Sequence, residues 1–529
     1  MERGTGLTDA VIDDDARADA WPDATPDEDV TVGPWRLRLR GTEVADLTHD
    51  GTPVLRAVRF VTRDHDWRTA EDTLVTRTVE RTSTGVDVRI GARSGFDGDD
   101  ALEYTLAVRI EGDVLRVDGS ATTLRPFRRN RIGLVALHPA GLAGVPLVVE
   151  HPDGRPSVTA YPRWIAPHQP AVDVVGYRWT AGTIAVAMTL TGDVFEMEDQ
   201  RNWSDASFKT YSTPLAEPFP VALAPGASVR QALTLRCAHV RTGGTVTVLS
   251  DVPPVDDPAM DPVSGPAPVL QLLASSAPAA LRPAEDELRP GVPILVEPVV
   301  GAPNAAAVLA SARRDAVHAP LDVRFVTDDP VALRAAIDDV LGSGAVVRVG
   351  AFDPRTHVTT PSLQQALREA ARADGGLEVV AGTRAHFTEL NRAIELLRDW
   401  DGPLTFSVTP QMHDRSRAQV TEAVRMLRWV AMSASRLAAG RPLHVGPVTL
   451  RPRFNAVATS TPVPVTRADV EDGHGPQFVP DATDPEQHSP AADAWFRRAV
   501  HALQAPGLVS ITLDEAWGPR GSTGRSLSA

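Results

Sequence analysis

AVVRVGAFDPRTHVTTPSLQQALREAARADGGLEVVAG, residues 345–382, contains the pattern that decides the fold of the second half of this chain. AVVRVGAF is a short apolar run, LQQALREAARA has the apolar spacing of a helix, and LEVVAG is a second apolar run. A strand, a helix and a strand in this order form a right-handed unit whose two strands lie parallel in one sheet. The stretch therefore predicts one repeat of an α/β fold.

The same alternation continues on both sides of this stretch. Further apolar runs occur at LQLLAS, PILVEPVV, PLTFSV, PLHVGPVTL and LVSITLDE, and helical patterns such as VALRAAIDDVLG separate several of them. Strands that alternate with helices over this length are typical of a (β/α) barrel, which has eight strands when complete. We count about seven such strands and predict a TIM-type (β/α) barrel over residues 268–529.

The first half of the chain has a different period. WRLRLRG, GVDVRIGAR, YTLAVRIEGDVLRVDG and GTIAVAMTLTGDVFEM alternate apolar and polar residues, with turn residues between the runs. This alternation is typical of half-buried antiparallel strands. We therefore predict a large antiparallel β-sandwich over residues 29–250.

Two segments show neither the alternation of strands nor the apolar spacing of helices. Residues 1–28 are acidic and interrupted by proline, which predicts a disordered tail whose deletion leaves stability nearly unchanged. Residues 251–267, DVPPVDDPAMDPVSGPA, contain five prolines and are predicted to link the two domains.

The composition restricts the function class. The chain has 529 residues and a formal net charge of −15, without a cluster of Lys and Arg, so binding to nucleic acid is disfavoured. No apolar run reaches the length of a membrane helix, and the acidic N-terminus does not resemble a signal peptide, so we expect a cytoplasmic protein. The single cysteine, Cys237, is expected to be buried in a strand. The sequence carries no indication of an oligomeric state.

Candidate catalytic residues follow the predicted barrel strands, because the active site of such a barrel lies at the C-terminal ends of its strands. The polar residues in these positions are Glu297, Asp353, Glu389, Gln411, His413, Arg453, Asn455 and Glu515. Glu389 and Glu515 are the preferred pair, because one carboxylate can act as a base while the other holds a proton. His413 is a further acid/base candidate or a structural histidine. The alternatives are that Glu389 lies in a helical turn capped by Thr388 and that Glu515 is solvated beside Asp514.

Other kinds of site have little support in the sequence. His413, Asp414 and a nearby carboxylate are the metal candidate, but no HExxH, CxxC or HxH spacing occurs. A GxSxG motif and a glycine-rich phosphate loop are also absent from the sequence. We therefore expect neither a metal nor a cofactor.

Two polar clusters lie in the sandwich half. FEMEDQRNWSDASFKTY, residues 195–211, indicates a binding loop, or a loop whose charges pair internally and hold the domains together. Its candidate substrate-binding residues are Glu198, Asp199, Arg201, Asn202 and Lys209. The second cluster is a further site, or else its His138 and His168, each beside a proline at a strand end, fix loops through backbone hydrogen bonds. Its members are Arg131, His138, Glu150, His151 and His168.

Six motifs in this order, RNRIGLVALHP, EHPDG, MEDQRNWSDASFKTY, GTRAHFTELNR, PQMHD and PVTLRPRFN, resemble those of the D-apionate lactonase family of bacterial apiose catabolism. The resemblance runs from about residue 30 to residue 518. It implies a glycoside-hydrolase-like barrel that carries a β-sandwich, and hydrolysis of D-apionolactone to D-apionate without a cofactor. It also implies that segment 195–211 lies over the barrel mouth and suits a small sugar lactone, whose hydroxyl groups need partners. Of the strand-end residues, Gln411, Arg453 and Asn455 are expected to bind the substrate as well.

Two departures from the family pattern predict that the barrel is trimmed. Only about twenty residues separate LQLLAS from PILVEPVV, where the family has a further strand–helix unit, and ITLDEAWG replaces a Tyr-Tyr-Glu-Thr type strand end. The leading hypothesis is a lactonase in which Glu389, Glu515 or His413 activates water and Arg or Asn side chains stabilise the oxyanion. The alternatives are a glycoside hydrolase that uses the same two glutamates and a catalytically inactive sugar-acid-binding protein.

Overall fold

The computed structural model describes Trp21 and residues 27–240, 266–461, 463–479 and 482–521. The strands before the barrel are β1 (Glu28–Val32), β2 (Trp35–Arg40), β3 (Glu43–His49), β4 (Thr52–Asp64), β5 (Glu71–Arg81), β6 (Gly85–Phe96), β7 (Asp99–Glu111), β8 (Val114–Thr123), β9 (Phe127–Pro139), β10 (Pro146–Glu150), β11 (Ser157–Ala160), β12 (Ala171–Val174), β13 (Gly176–Ala181), β14 (Ile184–Thr191), β15 (Phe195–Asp199), β16 (Ser207–Tyr211), β17 (Val221–Leu223) and β18 (Ser228–His239). The barrel strands are β19 (Val269–Leu273), β20 (Ile294–Val296), β21 (Leu321–Val326), β22 (Val346–Phe352), β23 (Glu378–His386), β24 (Leu404–Val408), β25 (Leu443–Val448) and β26 (Leu508–Glu515). The α-helices of the described residues are α1 (Ala305–Ala316), α2 (Pro330–Gly342), α3 (Pro361–Ala373), α4 (Phe387–Ala393), α5 (Arg417–Ala438) and α6 (Pro490–Ala502).

The first domain is a sandwich of two nine-stranded antiparallel sheets, as predicted. One sheet has the order β1-β2-β3-β4-β9-β16-β15-β12, with β17 paired to β9, and the other has the order β11-β10-β13-β14-β18-β8-β7-β6-β5. In β2 the alternation buries Trp35, Leu37 and Leu39 and exposes the arginines between them. Cys237 on β18 is buried in this core, which confirms that prediction.

The second domain is a closed barrel of eight parallel strands, β19 to β26, so the expectation of a trimmed barrel is wrong. The strand that pattern analysis missed is β21, LDVRFV. Asp322 and Arg324 interrupt its apolar run, but both side chains are fully buried and pair with each other at 3.1 Å. Arg348 on β22 makes a second ion pair with Asp322 at 2.7 Å. An ion-pair cluster inside the barrel therefore gives a buried strand a polar sequence.

The short connection lies between β19 and β20. Residues 274–293 are all described and contain no α-helix, only the 3₁₀ turns Ala279–Leu281 and Glu285–Glu287. β26 still pairs with β19, with Gln271 opposite Thr512, and closes the barrel. The unit that the sequence lacks is therefore a helix and not a strand.

The limits of the domains stay predictions, because most of the tail and the linker lies outside the described residues. Only residues 266–267 of the predicted linker 251–267 are described. Within the predicted tail 1–28, Trp21 is buried and its ring lies 4.7 Å from Cζ of Arg417. Trp21 therefore packs against the folded protein.

The two domains contact each other on the side where the barrel strands end. Arg56 on β4 donates to Glu422 of α5 at 2.5 Å and to Gln419 at 3.3 Å. Asn391 of α4 donates to Asn202 of the sandwich at 3.0 Å. These contacts lie beside a cavity whose walls come from both domains.

Candidate active site

A cavity of about 2600 Å³ lies between the first sandwich sheet and the mouth of the barrel. The ends of the barrel strands and the segments after them contribute Glu297, Arg384, His386, Glu389, Gln411 and His413 to its wall. The sandwich contributes polar and aromatic side chains from β4, β9, β16 and segment 195–211. The C-terminal ends of the strands are where (β/α) barrels place their active sites, so the cavity is the candidate site.

Glu389 lies half-buried in the cavity wall, in the first turn of α4. Its Oε2 atom is buried and has no hydrogen-bond partner. Burial raises the pKa of Glu389 to about 7, although the charge of Arg392 opposes the shift. The residue at the N-cap of α4 is His386 and not Thr388. A carboxyl that titrates near neutrality can both accept and return a proton.

Glu297, at the end of β20, is held as an anion by two arginines. Arg384 Nη2 and Arg453 Nη1 each donate to its Oε2 at 2.8 Å. Burial opposes its ionisation, but the two guanidinium charges outweigh burial and hold the pKa of Glu297 at about 2. The ring of Phe454 lies 4.5 Å from Cζ of Arg384. Glu297 therefore does not exchange protons near neutral pH, and it fixes Arg384 in the cavity wall.

His413 forms a hydrogen-bonded pair with a carboxyl group from the other domain. Its Nδ1 lies 2.7 Å from Oδ2 of Asp205, and the ring of Trp203 packs against it at 5.0 Å. Burial lowers the pKa of His413 well below its usual value and raises the pKa of Asp205 to about 8. Near neutral pH the pair therefore carries no net charge and shares one proton between Oδ2 and Nδ1. The other ring nitrogen, Nε2, then carries a hydrogen and is a donor.

Three residues of segment 195–211 that we predicted to bind substrate instead hold the structure together. Asp199 and Arg201 form a fully buried ion pair at 2.7 Å. Asn202 donates to the carbonyl of Ala166 at 2.6 Å and accepts a hydrogen bond from Asn391 at 3.0 Å. None of these three described side chains lines the cavity. Their contacts are those of the alternative prediction, in which the charges of the segment pair internally and hold the domains together.

Glu198 and Lys209, from the same segment, do line the cavity. Lys209 Nζ lies 2.5 Å from Oε2 of Glu198 and 4.7 Å from the centre of the Tyr211 ring. Burial opposes ionisation of Glu198, but the charge of Lys209 lowers its pKa. The pair stays charged and can offer both a donor and an acceptor to a ligand.

The other predicted binding residues differ in their access to the cavity. Gln411 lines it, donates through Nε2 to Asp484 at 2.7 Å and has a buried Oε1 without a partner. Asn455 also lines it, but its Nδ2 holds a backbone carbonyl of the sandwich at 2.7 Å. Arg453 donates a hydrogen bond to the Glu297 carboxylate but does not line the cavity. Asp353 accepts hydrogen bonds within its own turn.

Glu515 does not line the cavity that contains Glu389. It accepts hydrogen bonds from Ser276 Oγ at 2.6 Å and from Arg520 Nε at 3.1 Å. The crevice beside it has a volume of about 10 Å³, which is too small for a sugar. The structure therefore does not bring the predicted glutamate pair together, because β26 ends in an ion pair with the segment that follows it.

The second sandwich cluster is dispersed in the structure. Arg131 lines the cavity, whereas His138 is buried in the sandwich core, where burial lowers its pKa to about 3. His151 bonds to a backbone carbonyl at 2.8 Å, and Glu150 pairs with an arginine at 2.7 Å. His168 is exposed. The cluster does not form one site.

Two family models match the chain, and both describe the same family. "D-apionate lactonase, N-terminal domain" matches residues 18–240, and "D-apionate lactonase, TIM barrel domain" matches residues 306–527. A curated protein of Brucella anthropi named D-apionate lactonase is 29% identical over 515 residues, which cover 92% of this chain and 82% of that protein. The chain belongs to the D-apionate lactonase family. The motif resemblance is thereby confirmed, and so is the prediction, at the level of the family, that the protein is a lactonase-type enzyme.

Similar solved structures have low identity to this chain. Galactose 1-epimerase from Lactobacillus acidophilus is 8% identical, covers 42% of this chain and 97% of its own, and has a TM-score of 0.31. A glycoside hydrolase family 97 enzyme from Pseudoalteromonas sp. strain K8 is 8% identical, covers 80% of this chain and 65% of its own, and has a TM-score of 0.27. Likenesses this weak do not bear on the activity of this lactonase family member.

Several cavity residues were missed in the sequence. β23 extends beyond the apolar run LEVVAG to His386 and so brings Arg384 and His386 into the cavity wall. Alternation of side chains along a longer strand was the signal that could have found both. Glu297 was on the list of strand-end residues, but its role depends on two arginines far away in the chain. Asp205 was recognisable only through its contact with His413.

Within the described ranges, no group of three or more His, Cys, Asp and Glu side chains is arranged to hold a metal ion. Across those residues, no helix has the length and apolar character needed to span a membrane.

Proposed function

We propose that this protein opens a sugar-acid lactone, of the D-apionolactone type, to the free acid in carbohydrate catabolism. The observation that carries the proposal is Glu389, a carboxyl with a pKa of about 7 and a buried oxygen without a partner, in the wall of the large cavity between the two domains. The name of the Brucella anthropi relative, D-apionate lactonase, supports the choice of substrate.

Glu389 acts as the general base in this proposal. Its ionised form removes a proton from a water molecule while the water oxygen attacks the lactone carbonyl carbon. The carbonyl oxygen then carries the negative charge of the tetrahedral intermediate. When the bond between the carbonyl carbon and the ring oxygen breaks, the ring oxygen takes up a proton and the lactone becomes a hydroxy acid, which ionises to a carboxylate near neutral pH.

Arg384 and His413 supply the donors that this reaction needs. Glu297 holds Arg384 at 2.8 Å, and Asp205 holds His413 at 2.7 Å, so neither donor has to reorient when charge develops. We assign stabilisation of the oxyanion to Arg384 and protonation of the leaving ring oxygen to His413 Nε2. Asp205 then replaces that proton through the shared hydrogen bond.

The hydroxyl groups of the sugar acid need partners when they leave water. Glu198 and Lys209 offer an acceptor and a donor, and the Oε1 atom of Gln411 offers a further acceptor. Asn455 is the fourth polar side chain that we propose for substrate binding, from the loop after β25.

Hydrolysis of D-apionolactone and related aldonolactones, followed by acid release with a pH indicator, tests this function. We expect lactone hydrolysis that EDTA does not change and that Glu389→Gln lowers at least about a hundredfold, because general acid/base groups contribute roughly 10² to 10⁴ in rate. Turnover of aryl glycosides without turnover of lactones would favour the glycoside hydrolase. Saturable lactone binding with no turnover of either class would favour the non-enzymatic binding protein.

A further inference from the structure

Arg63 on β4 and Arg131 on β9 are directly opposite each other in the antiparallel register, and both line the cavity. Like charges at opposite positions of neighbouring strands repel each other and destabilise a sheet. Both guanidinium groups lie on the ring of Trp67, with Cζ at 5.7 and 5.1 Å from its centre. Arg131 also lies 5.2 Å from the ring centre of Phe219. The two cations are therefore held in fixed orientations side by side.

Neither arginine has an ion-pair partner among the residues that the structure describes, because no carboxylate oxygen there lies within 4.0 Å of a side-chain nitrogen of either one. Arg63 Nε donates to the carbonyl of Trp67 at 3.0 Å, and Arg131 Nη1 donates to the carbonyl of Asn130 at 2.6 Å. Arg131 is only 5% exposed, and its Nε and Nη2 have no hydrogen-bond partner.

Carboxylates that act on Arg63 from a greater distance are engaged elsewhere. Glu198 pairs with Lys209, Asp205 with His413, and Asp64 with a third arginine. Burial lowers the pKa of both Arg63 and Arg131, and repulsion lowers it further, from Arg131 in the case of Arg63 and from Arg129 in the case of Arg131. The fold thus retains two adjacent cations in a cavity wall, and no carboxylate of the described residues pairs directly with either of them.

We propose that Arg63 and Arg131 form a carboxylate-binding subsite for a small sugar acid. A guanidinium group presents its donors in a planar fork that matches a carboxylate, and its aromatic neighbours leave its edges available for such a contact. The choice of a carboxylate rests on the proposed function, because hydrolysis of a neutral lactone creates a carboxylate in this cavity. The subsite would hold the product acid more tightly than the neutral lactone, so the enzyme should be inhibited by sugar acids.

Calorimetric titration with D-gluconate, D-glucitol and inorganic phosphate tests the subsite. Gluconate should bind the wild-type protein saturably, and the uncharged glucitol and phosphate should bind at least about tenfold more weakly. Arg63→Gln and Arg131→Gln should each raise the Kd for gluconate about tenfold or more, which is the effect of losing a charge-assisted hydrogen bond. Arg109→Gln, which removes an exposed arginine paired with Asp87 on the other sheet, is the control and should leave that Kd unchanged.

Stability gives an independent result. Without ligand, Arg63→Gln should melt at the wild-type temperature or above it, because the substitution removes a repulsion. Gluconate should raise the melting temperature of the wild type more than that of the variants. If Arg131→Gln does not fold, Arg63→Gln and Arg131→Lys decide the test.

The outcomes separate this proposal from the lactonase proposal, since binding is measured without turnover. An unchanged Kd for gluconate in both arginine variants would overturn the subsite even if lactone hydrolysis were established. Phosphate that binds as tightly as gluconate, with the same dependence on the arginines, would overturn the assignment to a carboxylate. A subsite that behaves as expected would stand even if D-apionolactone were not hydrolysed.

Discussion

Glu389 and Glu515 are the same side chain at the ends of two barrel strands, yet their surroundings give them different chemistry. Burial without a full set of partners raises the pKa of Glu389 to about 7. The oxygens of Glu515 are occupied by Ser276 and Arg520. Glu389 can therefore transfer protons, whereas Glu515 stabilises the place where the barrel closes.

Glu389→Gln should lower kcat/KM for lactone hydrolysis at least about a hundredfold while the protein stays folded, because the amide cannot accept a proton. Initial rates and circular dichroism measure the two parts of this prediction. Glu395→Gln, at an exposed position shortly after α4, is the matched control and should retain the wild-type rate. A Glu389→Gln rate within threefold of wild type would remove this residue from the mechanism.

The pH dependence should follow the same carboxyl group. The rate should rise with pH around 7, because only ionised Glu389 is a base. Its pKa lies above the ordinary 4.5, so its contribution to stability is present below about pH 4.5 and is lost as pH rises through about 7. The melting temperature of Glu389→Gln relative to wild type should therefore be higher at pH 8 than at pH 5. The same difference at both pH values would contradict the raised pKa.

Glu515→Gln should act on stability and not on catalysis. Loss of the charge weakens the contact with Arg520, and we expect a decrease of about 2 kcal/mol in the free energy of unfolding. Denaturant titration measures this loss, and kcat/KM at a temperature where the variant is folded should stay within threefold of wild type. A hundredfold fall in kcat/KM would return Glu515 to the reaction.

At the scale of elements, segment 195–211 contains two kinds of residue, those that stabilise the fold and those that face the cavity. Asp199, Arg201 and Asn202 point into the protein and hold the segment and the barrel together. Glu198 and Lys209 face the cavity. The rigid inner residues thus fix the position of the outer ones.

Arg201→Ala and Lys209→Met should separate these two functions. Arg201→Ala leaves the Asp199 carboxylate buried without its partner, and we expect a loss of about 3–5 kcal/mol in the free energy of unfolding. Lys209→Met leaves the less deeply buried Glu198 carboxylate without its partner, so it should cost less stability than Arg201→Ala, and it should raise KM for the lactone. Denaturant titration and steady-state kinetics of both variants give the comparison, and an unchanged KM for Lys209→Met would contradict its binding role.

At the scale of the whole molecule, the site exists only where the two domains meet. The proposed base lies on the barrel, whereas Asp205, which positions His413, comes from the sandwich. A small change in the relative position of reacting groups can cost large factors in rate. The domain contacts should therefore influence catalysis from outside the cavity.

Asn391→Ala should lower kcat/KM about tenfold, although Asn391 does not line the cavity, because it removes the hydrogen bond to Asn202. Gln365→Ala, which truncates an exposed amide on α3, is the control. The measurement is kcat/KM of both variants at equal folded fractions. Equal rates would show that this contact does not position the catalytic groups.

Local patterns in the sequence were sufficient to predict the two-domain architecture and the position of Glu389 after a barrel strand. Alternation of period two and apolar runs separated by helical spacing are properties of neighbouring residues, so the sandwich and most barrel strands were predictable. β21 was missed for the same reason, because Asp322 and Arg324 are polar and only their mutual pairing inside the barrel makes their burial possible. The position of Glu389 after a strand was likewise readable from the chain.

Pairing between distant residues was decided only by the tertiary structure. Whether a charged side chain binds a ligand or stabilises the fold depends on which opposite charge reaches it, and sequence spacing does not contain that information. Asp205 becomes a positioning group because His413 lies 2.7 Å away, and Arg201 becomes structural because Asp199 neutralises it. We infer a structural role for Glu515 because Arg520 turns back to it. The sequence by itself determined which residue types lie in the site. The role of each residue was determined by the charged and hydrogen-bonding partners that the tertiary structure brings next to it.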